Sequence, residues 1–256
     1  MEQQMLKDKV AIITGASYGM GRTMAELFAD EGAAVVITAR HAEQLNEVVD
    51  GIRAKGEKAV GVVADVCSTE DTKKVFETAM KEFGDVDILI NNAGIGEQKM
   101  IDETDDEWMM YVMNTNLGGP MRYIREALKI FLPKNDGVII NISSVNGTRP
   151  FCGATYASTK GAINTLTKNV AMRLIDTHIP CNPVAPGATV TPAHLANKAG
   201  EQPGGAEMLK YSGHFVYFPG PECYPMDQAY ACLYLASKMG RAVRGQVIQV
   251  CNGAFL

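Results

Sequence analysis

The chain has 256 residues, enough for one large α/β domain or two small ones. A hydrophobic fraction of 46% with 21% charged residues is ordinary for a globular protein. A net charge of −5 with no run of Lys and Arg excludes nucleic acid and anionic membrane as expected partners. The six cysteines (Cys67, Cys152, Cys181, Cys223, Cys232, Cys251) are scattered without a C-x-x-C pair, which reads as small core or surface thiols in a reducing compartment. Residues Met1 to Lys9 are polar and lack the apolar stretch of a secretory signal. The apolar runs fall far short of the roughly 20 residues that span a bilayer. A cytosolic protein is expected.

Short β-branched runs alternate with helical patterns along the whole chain. Val10-Ala11-Ile12-Ile13-Thr14 does not alternate with polar residues, so it is a strand buried on both faces. Met24, Ala25, Leu27, Phe28 and Ala29 then form a stripe at helical spacing, closed by Gly32. A strand over Val35–Thr38, a helix over Glu43–Ala54 and a strand over Ala59–Ala64 follow. Ser68 caps a third helix, with Asp71 three residues on as in a capping box. Val86–Ile90, Gly137–Ile142, Ile179–Val184 and Gln246–Val250 supply four further strands. Long helices are predicted at 105–132 and 155–177, and a shorter one at 226–238.

Seven strands with intervening helices predict one doubly wound, Rossmann-type domain over residues 1–256: a seven-stranded parallel sheet with helices on both faces. The exception to this regularity is 192–225, rich in Pro, Gly and aromatics. A long insertion in a compact domain is usually functional, so this stretch is the predicted substrate loop.

Two segments carry chemistry. Gly15, Gly19 and Gly21 stand between the first strand and the first helix, where a tight turn, close backbone approach and a helix N-terminus suit a phosphate. Tyr156 and Lys160 lie one helical turn apart on a common face. The Lys160 ammonium is expected to lower the pKa of the Tyr156 phenol from its usual value near 10. Beside a nicotinamide, such a pair interconverts an alcohol and a ketone.

Together, TGASYGMG at 14–21, NNAG at 91–94, Asn116 in NTNLGG, ISS at 142–144, YASTK at 156–160 and PGATVT at 186–191 make the chain resemble the short-chain dehydrogenase/reductase family over Lys9 to Gly253. The resemblance implies a cofactor site built from Gly15, Ser17, Tyr18, Gly19, Met20, Gly21, Arg40, Asp65, Val66, Asn92, Ala93 and Gly94. It adds Tyr156, Lys160, Pro186, Gly187, Thr189 and Thr191 along the nicotinamide. Asp65 is positioned for the adenine amine, or is a turn aspartate. The second strand ends in Ala39 followed by Arg40, where an acidic residue would select NAD; a guanidinium there suits the 2′-phosphate of NADP(H).

The resemblance further implies a catalytic set of Asn116, a serine, Tyr156 and Lys160. Asn116 would hold a water linking Lys160 to solvent. Ser143 and Ser144 compete for the serine role. The family spacing selects Ser143, whereas the local pattern Ser144-Val145-Asn146-Gly147 selects Ser144, which is the choice made here.

For substrate, Leu195, Met208, Leu209, Tyr211, Phe215, Val216, Tyr217, Phe218 and Tyr224 in the 192–225 loop suggest an apolar lid over a bulky hydrophobic ketone or alcohol. The family counterparts are bacterial hydroxysteroid and bile-acid dehydrogenases. A 3-oxoacyl-carrier-protein reductase is the alternative, with Arg122, Arg125 and Lys129 as a docking surface. A non-catalytic nucleotide-sensing protein on this fold is a third reading. His41, His178, His194 and His214 show no ligand spacing, so no metal is expected. The two long helices are expected to pair across a subunit interface in a homodimer or homotetramer, and Cys251-Asn252-Gly253 has no functional account.

Overall fold

In the computed structural model, which describes residues 4–212, 214 and 220–254, seven parallel strands form one sheet in the order β3-β2-β1-β4-β5-β6-β7. The strands are β1 (Val10–Thr14), β2 (Ala34–Ala39), β3 (Ala59–Val63), β4 (Ile88–Asn91), β5 (Val138–Ile142), β6 (Cys181–Pro186) and β7 (Ile248–Val250). Every residue of β1, β2, β4 and β6 is buried, as uninterrupted apolar runs require of a sheet covered on both faces.

Side chains alternate along β1, so Ala11 and Ile13 join one core and Val10 and Ile12 the other. The first core packs against α1 (Gly19–Asp30), α2 (Ala42–Ala54) and α9 (Pro225–Ala236), through Phe28, Leu45 and Leu233. The second packs against α3 (Thr69–Phe83), α5 (Gly119–Lys134) and α6 (Ala154–Arg173), through Phe76, Phe131 and Val170. The chain runs outward from β1 to β3, then returns to the centre and leaves in the other direction from β4. The carboxyl ends of β1 and β4 therefore face a crevice where strand order reverses.

Three local expectations are corrected. The helix at 105–132 is interrupted: α4 (Asp106–Met113) passes into a π-turn at Asn114–Gly118 before α5 begins, so Asn116 sits in the π-turn. Gly118, Gly119 and Pro120 follow one another there, a weak point for regular helix. The capping box at Ser68 is half made. Ser68 Oγ accepts from Asp71 N at 3.0 Å, but Asp71 Oδ2 accepts from Asp65 N at 2.8 Å, tying α3 to the end of β3. The 192–225 segment holds two short helices, α7 (Pro192–Lys198) and α8 (Leu209–Ser212).

Phe28 on α1 is fully buried against the sheet. Phe28→Ala is expected to cost about 3–5 kcal/mol of stability, read as a lower urea midpoint with an unchanged slope. A loss under about 1 kcal/mol would mean that the α1 face is not part of the cooperative core.

Candidate active site

The glycine turn after β1 is shaped by what a side chain would strike. Gly15 has φ +66°, and a Cβ there would stand 2.8 Å from Ala93 Cα. A Cβ on Gly21 would run into Gly15 O and Asn92 Nδ2. Asn92 Nδ2 donates to both Thr14 O and Gly15 O, each at 2.9 Å, and Thr14 Oγ1 accepts from Asn92 N and Ala93 N at 3.0 Å. Behind this joint Asn91 donates to Asn141, and Asn141 to Thr167, so the NNAG turn is fixed to β5 and α6.

A cavity of about 430 Å3 opens above the turn. Gly15, Ser17, Tyr18, Gly19, Met20 and Gly21 line one side. Arg40, Asp65, Val66, Asn92, Ala93, Gly94 and Thr191 line the rest. With the N-terminus of α1 facing this space and no side chain filling the glycine cradle, the residues fit a dinucleotide and its phosphates. Arg40 Nη1 donates to Tyr111 Oη at 2.7 Å, which places its guanidinium at the cavity rim. Asp65 Oδ1 accepts from Cys67 N at 2.8 Å, the turn role anticipated as the alternative for this residue.

A second cavity of about 270 Å3 adjoins the first and shares Met20, Asn92, Gly94, Ile95, Thr191 and Ala193 with it. Ser144, Tyr156, Lys160, Pro186, Gly187 and Thr189 line it. The two serines point to different partners. Ser143 Oγ donates to Lys160 O at 3.0 Å and is spent on α6. Ser144 Oγ accepts from Asn146 N at 3.1 Å and Asn146 Nδ2 at 3.2 Å, and it shares the cavity wall with Tyr156. With two donors filling its lone pairs, Ser144 keeps its proton to donate.

Asn146 is a residue that sequence reasoning missed, and its Oδ1 also accepts from Phe151 N and Cys152 N. Glu97 is another. It lies in the cavity wall, 1% exposed, and accepts from Tyr156 N. Asn146 stood only in the pattern that singled out Ser144, and an acidic residue just past a buried strand end was the only signal for Glu97.

The ionisation expected of the pair is corrected. Burial pushes the Tyr156 phenol above its ordinary value, reinforced by the Cys152 thiol nearby and opposed by the Ser144 hydrogen bond. Burial also pulls Lys160 down to about 8. Lys160 Nζ donates to Ile142 O at 2.8 Å and lies 5.6 Å from the tyrosine ring centroid. Desolvation of both groups outweighs their mutual attraction in the unliganded protein.

Asn116 lines neither cavity. Its Oδ1 accepts from Ile95 N at 2.7 Å and its Nδ2 donates to Ile95 O at 2.9 Å, bracing the strand-end loop beside Gly94. The hydroxyls of Thr189 and Thr191 are engaged locally, with Gly187 O and with His194 N at the start of α7.

Among the described residues the expected apolar lid is only partly in place. Leu195, Tyr211 and Tyr224 are exposed, and of the apolar loop residues named from the sequence only Leu209 lines the cavity among the described residues. Phe215 to Phe218 lie outside the described residues. The loop contributes polar groups instead, including His194, Asn197 and Gln202. Gln98 clasps it from the other side. Gln98 N donates to Pro203 O at 2.7 Å and Nε2 to Asn197 Oδ1 at 2.9 Å. The sequence pattern reported composition, whereas the helical phase of α7 and α8 turns Leu195 and Tyr211 outward.

Residues 9–202 match the family described as short chain dehydrogenase. The chain is a short-chain dehydrogenase/reductase. It is similar to 3beta-hydroxysteroid dehydrogenase 1 of Eggerthella lenta, with 38% identity covering 98% of this chain and 95% of that protein. It is also similar to the 3-oxoacyl-(acyl-carrier-protein) reductase of Staphylococcus aureus, with 32% identity covering 98% and 100%. The structure of a 7 alpha-hydroxysteroid dehydrogenase with NADH and 7-oxo glycochenodeoxycholic acid superposes with a TM-score of 0.88, at 30% identity covering 99% and 96%. This short-chain dehydrogenase is thus a nicotinamide-dependent oxidoreductase working between alcohols and ketones, and it resembles the bacterial hydroxysteroid dehydrogenases. Among the described residues no helix is long and apolar enough to cross a membrane.

The depressed Lys160 predicts a pH signature. The unfolded side chain titrates at the ordinary 10.5, the folded one at about 8, so below 8 burial of the ammonium costs stability. Between those values the unfolded state binds more protons, and the cost disappears as pH rises. Lys160→Met is expected to be more stable than the parent near neutral pH. Its advantage should shrink by about 1.4 kcal/mol per unit as pH climbs from 8, measured by urea unfolding. A constant advantage across that window would show that the ammonium is not desolvated.

Proposed function

We propose that this short-chain dehydrogenase interconverts a secondary alcohol and a ketone on a hydroxysteroid or bile acid, using NADP(H), with Tyr156 as general acid and base. The observation that carries the reading is convergence: the Tyr156 phenol, the Ser144 hydroxyl and Lys160 share one cavity, and that cavity opens onto the glycine cradle. A nicotinamide cofactor held by Gly15, Gly19, Gly21, Gly94 and Thr191 would supply the hydride to the carbonyl carbon, or accept it in the reverse direction. Ser144 donates to the substrate oxygen, held in that role by Asn146. Tyr156 gives its proton to the same oxygen, completing the alcohol. The phenol is protonated at neutral pH and burial raises it further, so the unliganded site is set for ketone reduction. Lys160, pulled down to about 8 by burial, lies beside it. Asn116 acts through Ile95 and the floor of the Lys160 site.

Ala39 and Arg40 support NADP(H), since one N–H on Tyr111 leaves the remaining guanidinium donors for a phosphate. The steroid reading rests on the relatives and on the apolar wall of Ile95, Val145, Phe151 and Leu209. The 192–225 segment is the substrate loop on this reading. Acyl-carrier docking is the second reading, from the similarity to the reductase of Staphylococcus aureus. Two of its three docking candidates are already engaged, Arg122 with Asn114 and Lys129 with Glu126. A homodimer or homotetramer is supported by the apolar groove of Met121, Ile124, Leu128 and Leu132 on α5 with Leu166 on α6. A cytosolic location belongs to this reading and is supported by the six free cysteines.

Consumption of NADPH and NADH against oxosteroids, oxo-bile acids and acetoacetyl thioesters tests the whole reading. Turnover of the thioester alone would replace the steroid assignment with the carrier-protein one. Arg40→Ala is expected to raise KM for NADPH by about tenfold or more and leave NADH little changed, as loss of a charge-assisted contact implies. Equal effects on both cofactors would remove the NADP(H) assignment. Ser144→Ala should lower kcat by about a hundredfold, in line with loss of a donor to the reacting oxygen. Ser143→Ala should lose far less, and the reverse ranking would reassign the role.

A further inference from the structure

Helix α6 begins without a capping side chain, because its N-cap is Gly153. Its first amide groups are instead taken by the segment just past β4. Gly153 N donates to Glu97 O at 3.0 Å and Ala154 N to Lys99 O at 3.1 Å. Tyr156 N donates to Glu97 Oε1 at 2.9 Å, and the second carboxylate oxygen takes Lys99 N at 2.7 Å.

We propose that Glu97 is a positioning residue for Tyr156: its buried carboxylate caps α6 from outside and sets the height and rotation of the turn that carries the phenol. The inference rests on Tyr156 being the proton donor. A carboxylate 1% exposed is costly to bury, and among the described residues it has no ion-pair partner. Two charge-assisted bonds to backbone amides and the positive end of α6 compensate it. A Ser or Asp at position 153 would cap the helix at lower cost, but only from within α6 itself. Glu97 comes from the loop that also walls the substrate cavity, so it ties the phenol's position to that wall. The fit is close enough to demand glycine opposite, since a Cβ on Gly153 would collide with both carboxylate oxygens.

Glu97→Gln keeps the volume but leaves one of the two amides facing an NH2 group. Its kcat is expected to fall by about tenfold or more, as misplacement of a reacting group implies. The KM for ketone, and the cofactor Kd by fluorescence titration, should stay within about twofold. The solvent deuterium isotope effect on kcat should rise, because transfer from a misplaced phenol becomes slow. Gly153→Ala retains the charge and pushes against it, and should show the same split with a smaller loss. Parent-like kcat in Glu97→Gln overturns the proposal. So does a loss with an unchanged isotope effect and matching rises in KM and Kd, which would make Glu97 an ordinary helix cap. Should Glu97→Gln fail to fold, Gly153→Ala decides alone, and an undiminished kcat overturns the proposal. Parent-like turnover in Tyr156→Phe is a separate result: it removes the catalytic reading of Tyr156, whatever the Glu97 variants do.

Discussion

The joint between the ends of β1 and β4 is the constraint on which the rest of the molecule depends. Neither turn can hold its shape alone, since each exposes backbone groups that a buried position does not tolerate. Thr14 Oγ1 satisfies two amides of the NNAG turn, and Asn92 returns two bonds to the carbonyls of the glycine turn. The reciprocal bonding fixes the two turns at contact distance, which is why Gly15 and Gly21 have no room for a side chain. The crevice above is the space a sheet leaves where its strand order reverses. What this chain adds is a rigid floor to that space.

From that floor the site extends to β5 and α6 by further buried polar links. Asn91, Asn141 and Thr167 carry the connection through the core, and Lys160 reaches back to Ile142 O. Each link is a polar group buried with its partner, so the network favours one arrangement over near alternatives. The cost falls on the two titratable groups in the middle, whose charged forms are both disfavoured by burial.

Much of this was legible in the sequence. The parallel sheet was visible because Val10–Thr14 is apolar without alternation and short β-branched runs then alternate with helical patterns, as a doubly covered sheet requires. The cofactor cradle was visible because glycine spacing reflects steric need directly. The Tyr156–Lys160 pair was visible from helical periodicity. What escaped depended on tertiary contact. The π-turn at Asn114–Gly118 arises inside a stretch whose hydrophobic pattern continues as if helical. The outward phase of Leu195 and Tyr211 is set by where α7 and α8 begin, which apolar content cannot convey. The raised phenol escaped because adjacency to Lys160 is a local fact, whereas the burial that overrides it comes from the whole cavity. Glu97 escaped because it caps a helix 56 residues away from it, at Gly153.

The clasp between Gln98 and the segment carrying α7 bears on the shape of the substrate cavity. One backbone and one side-chain hydrogen bond hold that segment against the strand-end loop, and Gly204 packs its backbone directly on Lys99. Two such bonds contribute about 1–3 kcal/mol net to holding the segment there. The wall of the substrate cavity is thus held in place by the partners of Gln98 and Asn197 as well as by the sheet.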